Sequence, residues 1–190
     1  MTAIGLGWRV HSWWAVVVAV SGPATSPVLL RRERVILVDD PLVQEPYHAA
    51  VGKPLDEGKA SIDAVAERAA SAAASLLEGF TTALGSVATV GVVGGNRRLP
   101  ELPRILGSHA LLHAAERDLY EHAVIEGAAR AGLPVMTIPA TGALFDQASQ
   151  VLGIELQATL AELGKSVGPP WQKDHKEATA AALLALASVT

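Results

Sequence analysis

The order of extended and helical segments constrains the fold of this chain more than any other feature. Before the first helix, the chain contains segments rich in Val, Ile and Leu without a helical period, at 3–6, 14–20, 28–30 and 34–38. Residues 7–12 either continue one bent strand or form a hairpin turn, and residues 21–27 form a turn. This start predicts an antiparallel meander of three strands.

After residue 41 the pattern changes to helices that alternate with short apolar strands. Residues 41–54 form an irregular loop, and Ser61 is a candidate N-cap. Ala/Leu periodicity predicts helices over 62–80, 102–131 and about 174–187. Apolar runs predict strands over 87–93 and 135–138, the first of them central and covered on both faces. The resulting β-β-β-α-β-α-β-α order predicts an α/β domain with a mixed sheet, because a plain doubly wound fold would alternate from its start.

A helical pair lies before the last helix, over 144–152 and 155–163, with Gly153 between its members. It could act as a DNA-binding helix-turn-helix, but its second helix carries no Lys or Arg before Lys165. A DNA-binding helix needs Lys or Arg side chains to contact the phosphates. We therefore expect a helical hairpin insertion at about 144–165 that covers the sheet of a single domain spanning 1–190.

Composition narrows the classes of function. The chain is 50% hydrophobic and 18% charged over 190 residues, which is typical of one globular domain. Its net charge of −4 disfavours non-specific nucleic-acid binding without excluding nucleic acid as a partner, and a protein partner or self-association is an open alternative. The absence of cysteine excludes disulfides, thiolate catalysis and cysteine-ligated zinc.

The N-terminal region is similar to a signal peptide, because Arg9 and His11 precede the apolar run 13–20 and small residues follow it. The β-branched residues of 16–20 favour a strand instead. The run is too short to span a bilayer as a helix. We expect a cytoplasmic bacterial protein without a membrane association.

A polar stripe occupies one face of the long predicted helix. His109, His113, Glu116 and Tyr120 are spaced at i, i+4, i+7 and i+11. Two histidines at i and i+4 are able to chelate a divalent transition metal, with Glu116 as a third ligand. The alternative is an ordinary polar stripe at the boundary of the core.

Two further segments carry groups suited to anions or to proton transfer. Arg9 is able to bind a phosphate or carboxylate through two parallel hydrogen bonds. His11 is able to act as a general acid or base near neutral pH. The run Gly94-Gly95-Asn96-Arg97-Arg98 links a strand to a helix and resembles an anion cradle without the spacing of a known nucleotide motif. The alternatives are a solvated hairpin and a tight turn with flanking charge.

The segment that opens the last helix contains Trp171, a candidate packing residue, and the carboxylates Asp174 and Glu177. These carboxylates are either first-turn charges that favour the helix or ligands of a metal ion. Tyr47 and His48 lie in a loop and have no partner that the sequence identifies.

The element order and two short segments resemble the RuvC-type members of the ribonuclease H-like superfamily. Residues 4–16 are similar to the first hairpin of that family, and residues 174–178 to the start of its last helix, where an acidic residue joins the metal site. The resemblance implies a ribonuclease H-like fold. The members that it resembles are nucleases, so it also implies an active site in which several carboxylates hold two magnesium ions.

The chain departs from the family at most of these acids. Gly5 stands where the family has its first-strand aspartate, and Gly94-Gly95-Asn96 where a glutamate would follow the central strand. Only Asp174 and Glu177 remain. We therefore expect a degenerate, non-nuclease binding or assembly module, since fold does not imply function.

Two alternatives remain open from the sequence. One is a metal-dependent nuclease or phosphodiesterase, in which Asp174 and Glu177 hold a divalent ion and His109, His113 or Glu116 completes its shell. The other is a small anion- or nucleotide-binding protein that uses Arg9 with Gly94, Gly95 and Arg97.

A second resemblance concerns a bacterial family of unknown function with an Arg-x-His-Ser-x-Trp-Ala start and a Gly-Pro-Pro-Trp segment near its end. The first pattern matches residues 9–15 and the second matches residues 168–171. This resemblance implies no catalytic residues.

Overall fold

The computed structural model describes residues 2–189. The strands are β1 Ile4–Val10, β2 Trp14–Ser21, β3 Val28–Ile36, β4 Val87–Val93 and β5 Val135–Ile138. The helices are α1 Pro46–Ala50, α2 Leu55–Leu84, α3 Leu102–Leu106, α4 His109–Arg130, α5 Leu144–Leu152, α6 Leu156–Val167 and α7 Lys173–Ala187.

The sheet combines an antiparallel and a parallel half in the order β3-β2-β1-β4-β5. β1 pairs antiparallel with β2, and β2 pairs antiparallel with β3. β4 pairs parallel with both β1 and β5. The predicted meander and mixed sheet are therefore confirmed. The link between β1 and β2 is a hairpin, in which the backbone N–H of His11 donates to Trp14 O at 2.9 Å.

The side chains of β1 alternate between two layers of helices. Leu6, Trp8 and Val10 are buried in the cluster that includes α2 and α4. On the opposite face, a Cβ added to Gly5 or Gly7 would meet the backbone of α7. The alternation places the core on both sides of the sheet, as expected for strands covered on both faces.

α7 lies unusually close to the sheet because both surfaces carry small residues. A Cβ at Gly7 or Gly91 would overlap the carbonyl oxygen of Ala178 or Ala181, respectively. Ala178, Ala181 and Ala182 of α7 are fully buried. This packing holds the first turn of α7 beside the end of β1.

Several predicted boundaries differ from the structure. The separate segments predicted at 28–30 and 34–38 are one strand, β3. The loop predicted over 41–54 contains the short helix α1, and α2 begins at Leu55 instead of 62, with Asp56 and Glu57 in its first turn. These acids favour an earlier start through the helix dipole.

The helix predicted over 102–131 is interrupted. Gly107 ends α3, and Ser108 adopts an extended backbone with φ −142° before α4 begins. The break turns His109 into the first residue of α4. It thereby fixes the position of the polar stripe at the beginning of that helix.

The helical pair before α7 is α5 and α6, joined at Gly153 with the left-handed φ of 66°. The Trp171 indole donates to Leu160 O at 2.9 Å, and the Arg32 guanidinium donates to the carbonyls of residues 167–169. Trp171 is therefore a packing residue that fixes the approach to α7.

Within residues 2–189, no helix is both long and apolar enough to cross a membrane.

Candidate functional site

The carboxyl ends of β1 and β4 meet the first turn of α7 at one edge of the sheet. Arg9 and His11 come from the end of β1 and its turn, and Asp174 and Glu177 come from α7. Parallel strands of α/β folds present their ligand sites at this edge. We name these four residues the carboxyl-edge cluster.

Arg9 and Glu177 form a largely buried ion pair in this cluster. Arg9 Nε donates to Glu177 Oε2 at 2.5 Å, and the side chains are only 12% and 9% exposed. Lys173 Nζ lies 3.5 Å from Glu177 Oε1. Both carboxylate oxygens of Glu177 therefore face cations supplied by the chain.

His11 and Asp174 form the second contact of the cluster. His11 Nε2 lies 3.0 Å from Asp174 Oδ2, and the His11 ring stacks on Trp14 with centroids 4.2 Å apart. Burial lowers the pKa of His11, and the nearby Asp174 only partly offsets this effect. The imidazole is therefore mainly neutral at pH 7 and acts as a hydrogen-bonding partner of Asp174.

The turn after β4 contains a carboxylate from the chain itself. The backbone N–H of Gly95 donates to Glu121 Oε2 at 2.7 Å, and Arg97 Nη1 lies 3.5 Å from the same oxygen. Glu121 is fully buried, and a Cβ on Gly94 would overlap its carboxylate. Burial raises the pKa of Glu121, while the Gly95 N–H and Arg97 oppose this rise. Gly94, Gly95 and Arg97 were predicted from the sequence as an anion site, whereas Glu121 was not.

A second cluster forms where α1 packs near the start of α4. Potential ligand atoms of His48, His109 and His113 lie within 4.8 Å of one another. We name these three residues the histidine cluster. His109 and His113 are exposed, and His48 is partly buried. The i, i+4 pair expected from the sequence is thus joined by a residue that the sequence alone could not pair with it.

Glu116, which the sequence offered as a third ligand, lies next to His48 and is not one of the three residues of the histidine cluster. It is 1% exposed, and its Oε1 accepts hydrogen bonds from the backbone N–H groups of Tyr47 and His48 at 2.8 and 3.1 Å. The same oxygen lies 3.3 Å from His48 Nδ1. Glu116 therefore lies behind His48 and fixes its backbone and ring.

The predicted site residues thus divide into two groups. Arg9, His11, Asp174 and Glu177 converge, whereas His109 and His113 join His48 instead. Among residues 2–189, no hydrogen bond or ion pair connects these groups. A metal shell in which the histidines complete the coordination of Asp174 and Glu177 has no support from this geometry.

The strand order, the antiparallel meander and the closing helix across β1 and β4 define a ribonuclease H-like fold of the RuvC type. Two solved structures of Thermus thermophilus RuvC match it. RuvC in complex with a Holliday junction substrate has a TM-score of 0.56 at 16% identity, covering 98% of this chain and 94% of RuvC. A second RuvC structure gives 0.55 at 17% identity, covering 98% and 95%. No protein-family model and no curated protein matches the sequence.

The residues at the carboxyl edge do not fit the two-magnesium centre that the resemblance implies. Gly5 lies under Ala182 and Leu186, and Gly7 lies against Ala178, so the close approach of α7 leaves no room for a carboxylate on this face of β1. The two acids of α7 are bonded to Arg9 and His11. A two-metal site needs several carboxylates that are free to bridge cations.

Proposed function

We propose that this chain is a non-nuclease binding or assembly module built on the ribonuclease H-like fold. The observation that carries the proposal is the ion pair between Arg9 and Glu177 at the carboxyl edge. A guanidinium is permanently charged and donates hydrogen bonds, but it offers no coordination position for a substrate oxygen. It neutralises Glu177 without supplying the Lewis acid that phosphodiester cleavage uses in this fold.

The second group of polar residues at this edge supports the same conclusion. The Gly95 N–H and Arg97, which are suited to an anion, contact the buried carboxylate of Glu121. An external phosphate would have to displace that carboxylate. This arrangement disfavours a phosphate- or nucleotide-binding function for the turn.

The net charge and the outermost strand of the sheet, β3, favour a protein as the binding partner, either a different chain or a second copy. β3 is an edge strand, and its Val28, Leu30 and Ile36 are 53%, 42% and 42% exposed. Edge strands present unpaired backbone groups to other chains. The net charge of −4 opposes extensive contact with nucleic acid.

A cleavage assay tests the proposal. The full chain is incubated with a four-way junction, duplex DNA, single-stranded DNA and RNA, each in Mg²⁺ or Mn²⁺. We expect the wild type to cleave no faster than the Asp174→Asn/Glu177→Gln double variant, which serves as the matched control for contaminating nucleases. Phosphate and nucleotides are expected to leave the Tm unchanged, because a ligand that binds the native state would raise it.

Two results would overturn the proposal. The first is metal-dependent cleavage by the wild type that the double variant lacks. The second is a Tm increase with phosphate or nucleotide that Arg97→Ala abolishes, which would indicate an anion-binding protein.

A further inference from the structure

Three imidazoles from two helices face one another in the histidine cluster. The ring centroids are 4.5 Å apart for His109 and His113, 4.8 Å for His48 and His113, and 5.8 Å for His48 and His109. Burial alone does not require this arrangement, since His109 and His113 are exposed. The cluster lies apart from the carboxyl edge, so a ligand site formed by these histidines is independent of the proposed function.

The spacing of the nitrogens is close to that of a tetrahedral metal site. Zn–N bonds of about 2.0–2.1 Å place the ligand nitrogens about 3.3 Å from one another. The potential ligand atoms here lie within 4.8 Å of one another. His109 and His113 are exposed, so their rings have room to adjust by side-chain rotation.

Glu116 prepares His48 for coordination through one nitrogen. Its Oε1 lies 3.3 Å from His48 Nδ1 and accepts the backbone N–H of the same residue. A carboxylate that accepts Nδ1–H leaves Nε2 as the free lone pair and fixes the ring orientation, as carboxylates behind metal-bound histidines do. The other oxygen of Glu116 is buried and has no hydrogen-bond partner among residues 2–189.

We propose that His48, His109 and His113 bind one divalent transition-metal ion of the Zn²⁺ class, with Glu116 as the positioning group behind His48. Three neutral imidazoles suit Zn²⁺, Co²⁺, Ni²⁺ or Cu²⁺ and not Mg²⁺ or Ca²⁺, which prefer oxygen ligands. The exposure of two rings leaves the fourth coordination position open to water. The ion links α1 to the beginning of α4 and thereby ties the segment before α2 to the helical layer.

Metal titration of the full chain, prepared without a histidine tag and freed of metal with a chelator, tests this site. We expect one equivalent of Zn²⁺ or Co²⁺ by calorimetry, a tetrahedral visible spectrum with Co²⁺, and a Zn²⁺-dependent rise in Tm. His48→Gln, His109→Ala and His113→Ala should each weaken Zn²⁺ binding by at least about 10-fold, the lower bound for losing even a residue that only orients a ligand. Mg²⁺ should leave the Tm unchanged.

His122→Ala is the matched control, because His122 is an exposed histidine of α4 that contacts Asp118 and lies outside the cluster. It should bind Zn²⁺ like the wild type. The proposal is wrong if the wild type binds neither Zn²⁺ nor Co²⁺ at millimolar metal. It is also wrong if His109→Ala and His113→Ala keep full affinity, since both residues are exposed and their removal leaves the fold intact.

Discussion

At the scale of single residues, the partner of each charged group decides its chemistry. Glu177 and Glu121 are both buried carboxylates, and each is bonded to groups of the same chain, Glu177 to Arg9 and Glu121 to the Gly95 N–H. Buried charges require such partners, because an unpaired ion in the interior is strongly unfavourable. The carboxylate of Glu177 therefore contacts cations of its own chain, whereas Glu121 accepts through Oε2 and its buried Oε1 has no hydrogen-bond partner among residues 2–189.

Two histidines that each contact an aspartate are predicted to titrate in opposite directions. The hydrogen bond that His122 donates to Asp118 raises the pKa of His122 to about 9, whereas burial lowers the pKa of His11 despite Asp174. The side chain of His122 is 54% exposed and that of His11 is 26% exposed, which explains the difference in solvation. A histidine NMR titration should show His122 titrating above about 6.5 and His11 below this reference value.

These shifts fix the sign of the pH dependence. The raised pKa of His122 gives stability that is fully present below about 6.5 and is lost as the pH rises through about 9. The lowered pKa of His11 gives stability that is present above about 6.5 and is lost as the pH falls through its folded value. In Asp118→Asn, His122 should titrate near 6.5; an unchanged midpoint would contradict the assigned cause.

At the scale of elements, the contact between α7 and the sheet positions the carboxyl edge. Gly5, Gly7 and Gly91 leave space for the backbone of α7, and the alanines of that helix fill it. Interiors are packed to the density of crystals, so a surface this close tolerates little added volume. Because α7 lies against Gly5 and Gly7, the first strand has no room for a carboxylate side chain at these positions.

Replacing one glycine of this contact tests the packing. In Gly7→Ala the new Cβ overlaps Ala178 O, so α7 must shift, and overpacking of this kind costs about 1–3 kcal/mol of unfolding free energy. Gly79→Ala is the matched control, because Gly79 is exposed in α2 with nothing within 4 Å of its Cβ. It should be stabilising by up to about 1 kcal/mol, from helix propensity. Urea unfolding measures both, and an unaffected Gly7→Ala would contradict the close approach.

The accuracy of the sequence predictions differs between elements and does not follow their length. Apolar runs and periodicity located β2, β4, β5 and α7 to within about one residue, whereas the predicted starts of α2 and α4 each lie seven residues from the starts in the structure. α1 has only five residues, and the break between α3 and α4 depends on local backbone geometry at Gly107 and Ser108. Such short helices form through tertiary contacts that no local pattern reveals.

At the scale of the whole molecule, the topology followed from the order of elements, whereas the site did not. A meander followed by right-handed crossovers leaves few arrangements of five strands. Arg9 and Glu177, however, are 168 residues apart in sequence, and His48 precedes α4 by the whole of α2 and β4. The sequence identified the charged residue types, but only the fold assigns their partners. In the sequence, nothing distinguished Glu121 from the other acids of α4.

Arg9 and Glu177 close the carboxyl edge as a structural ion pair, and the unfolding free energy of Glu177→Gln tests this role most directly. Glu162→Gln is the control, because that acid pairs with Lys165 at 72% exposure. Removing one partner of a buried pair should destabilise the protein by about 3 kcal/mol, and the exposed control by less than about 1 kcal/mol. Replacing an acid that serves catalysis often increases the stability of the protein, because active sites trade stability for activity. A stabilised or unchanged Glu177→Gln would therefore contradict the structural role of the pair.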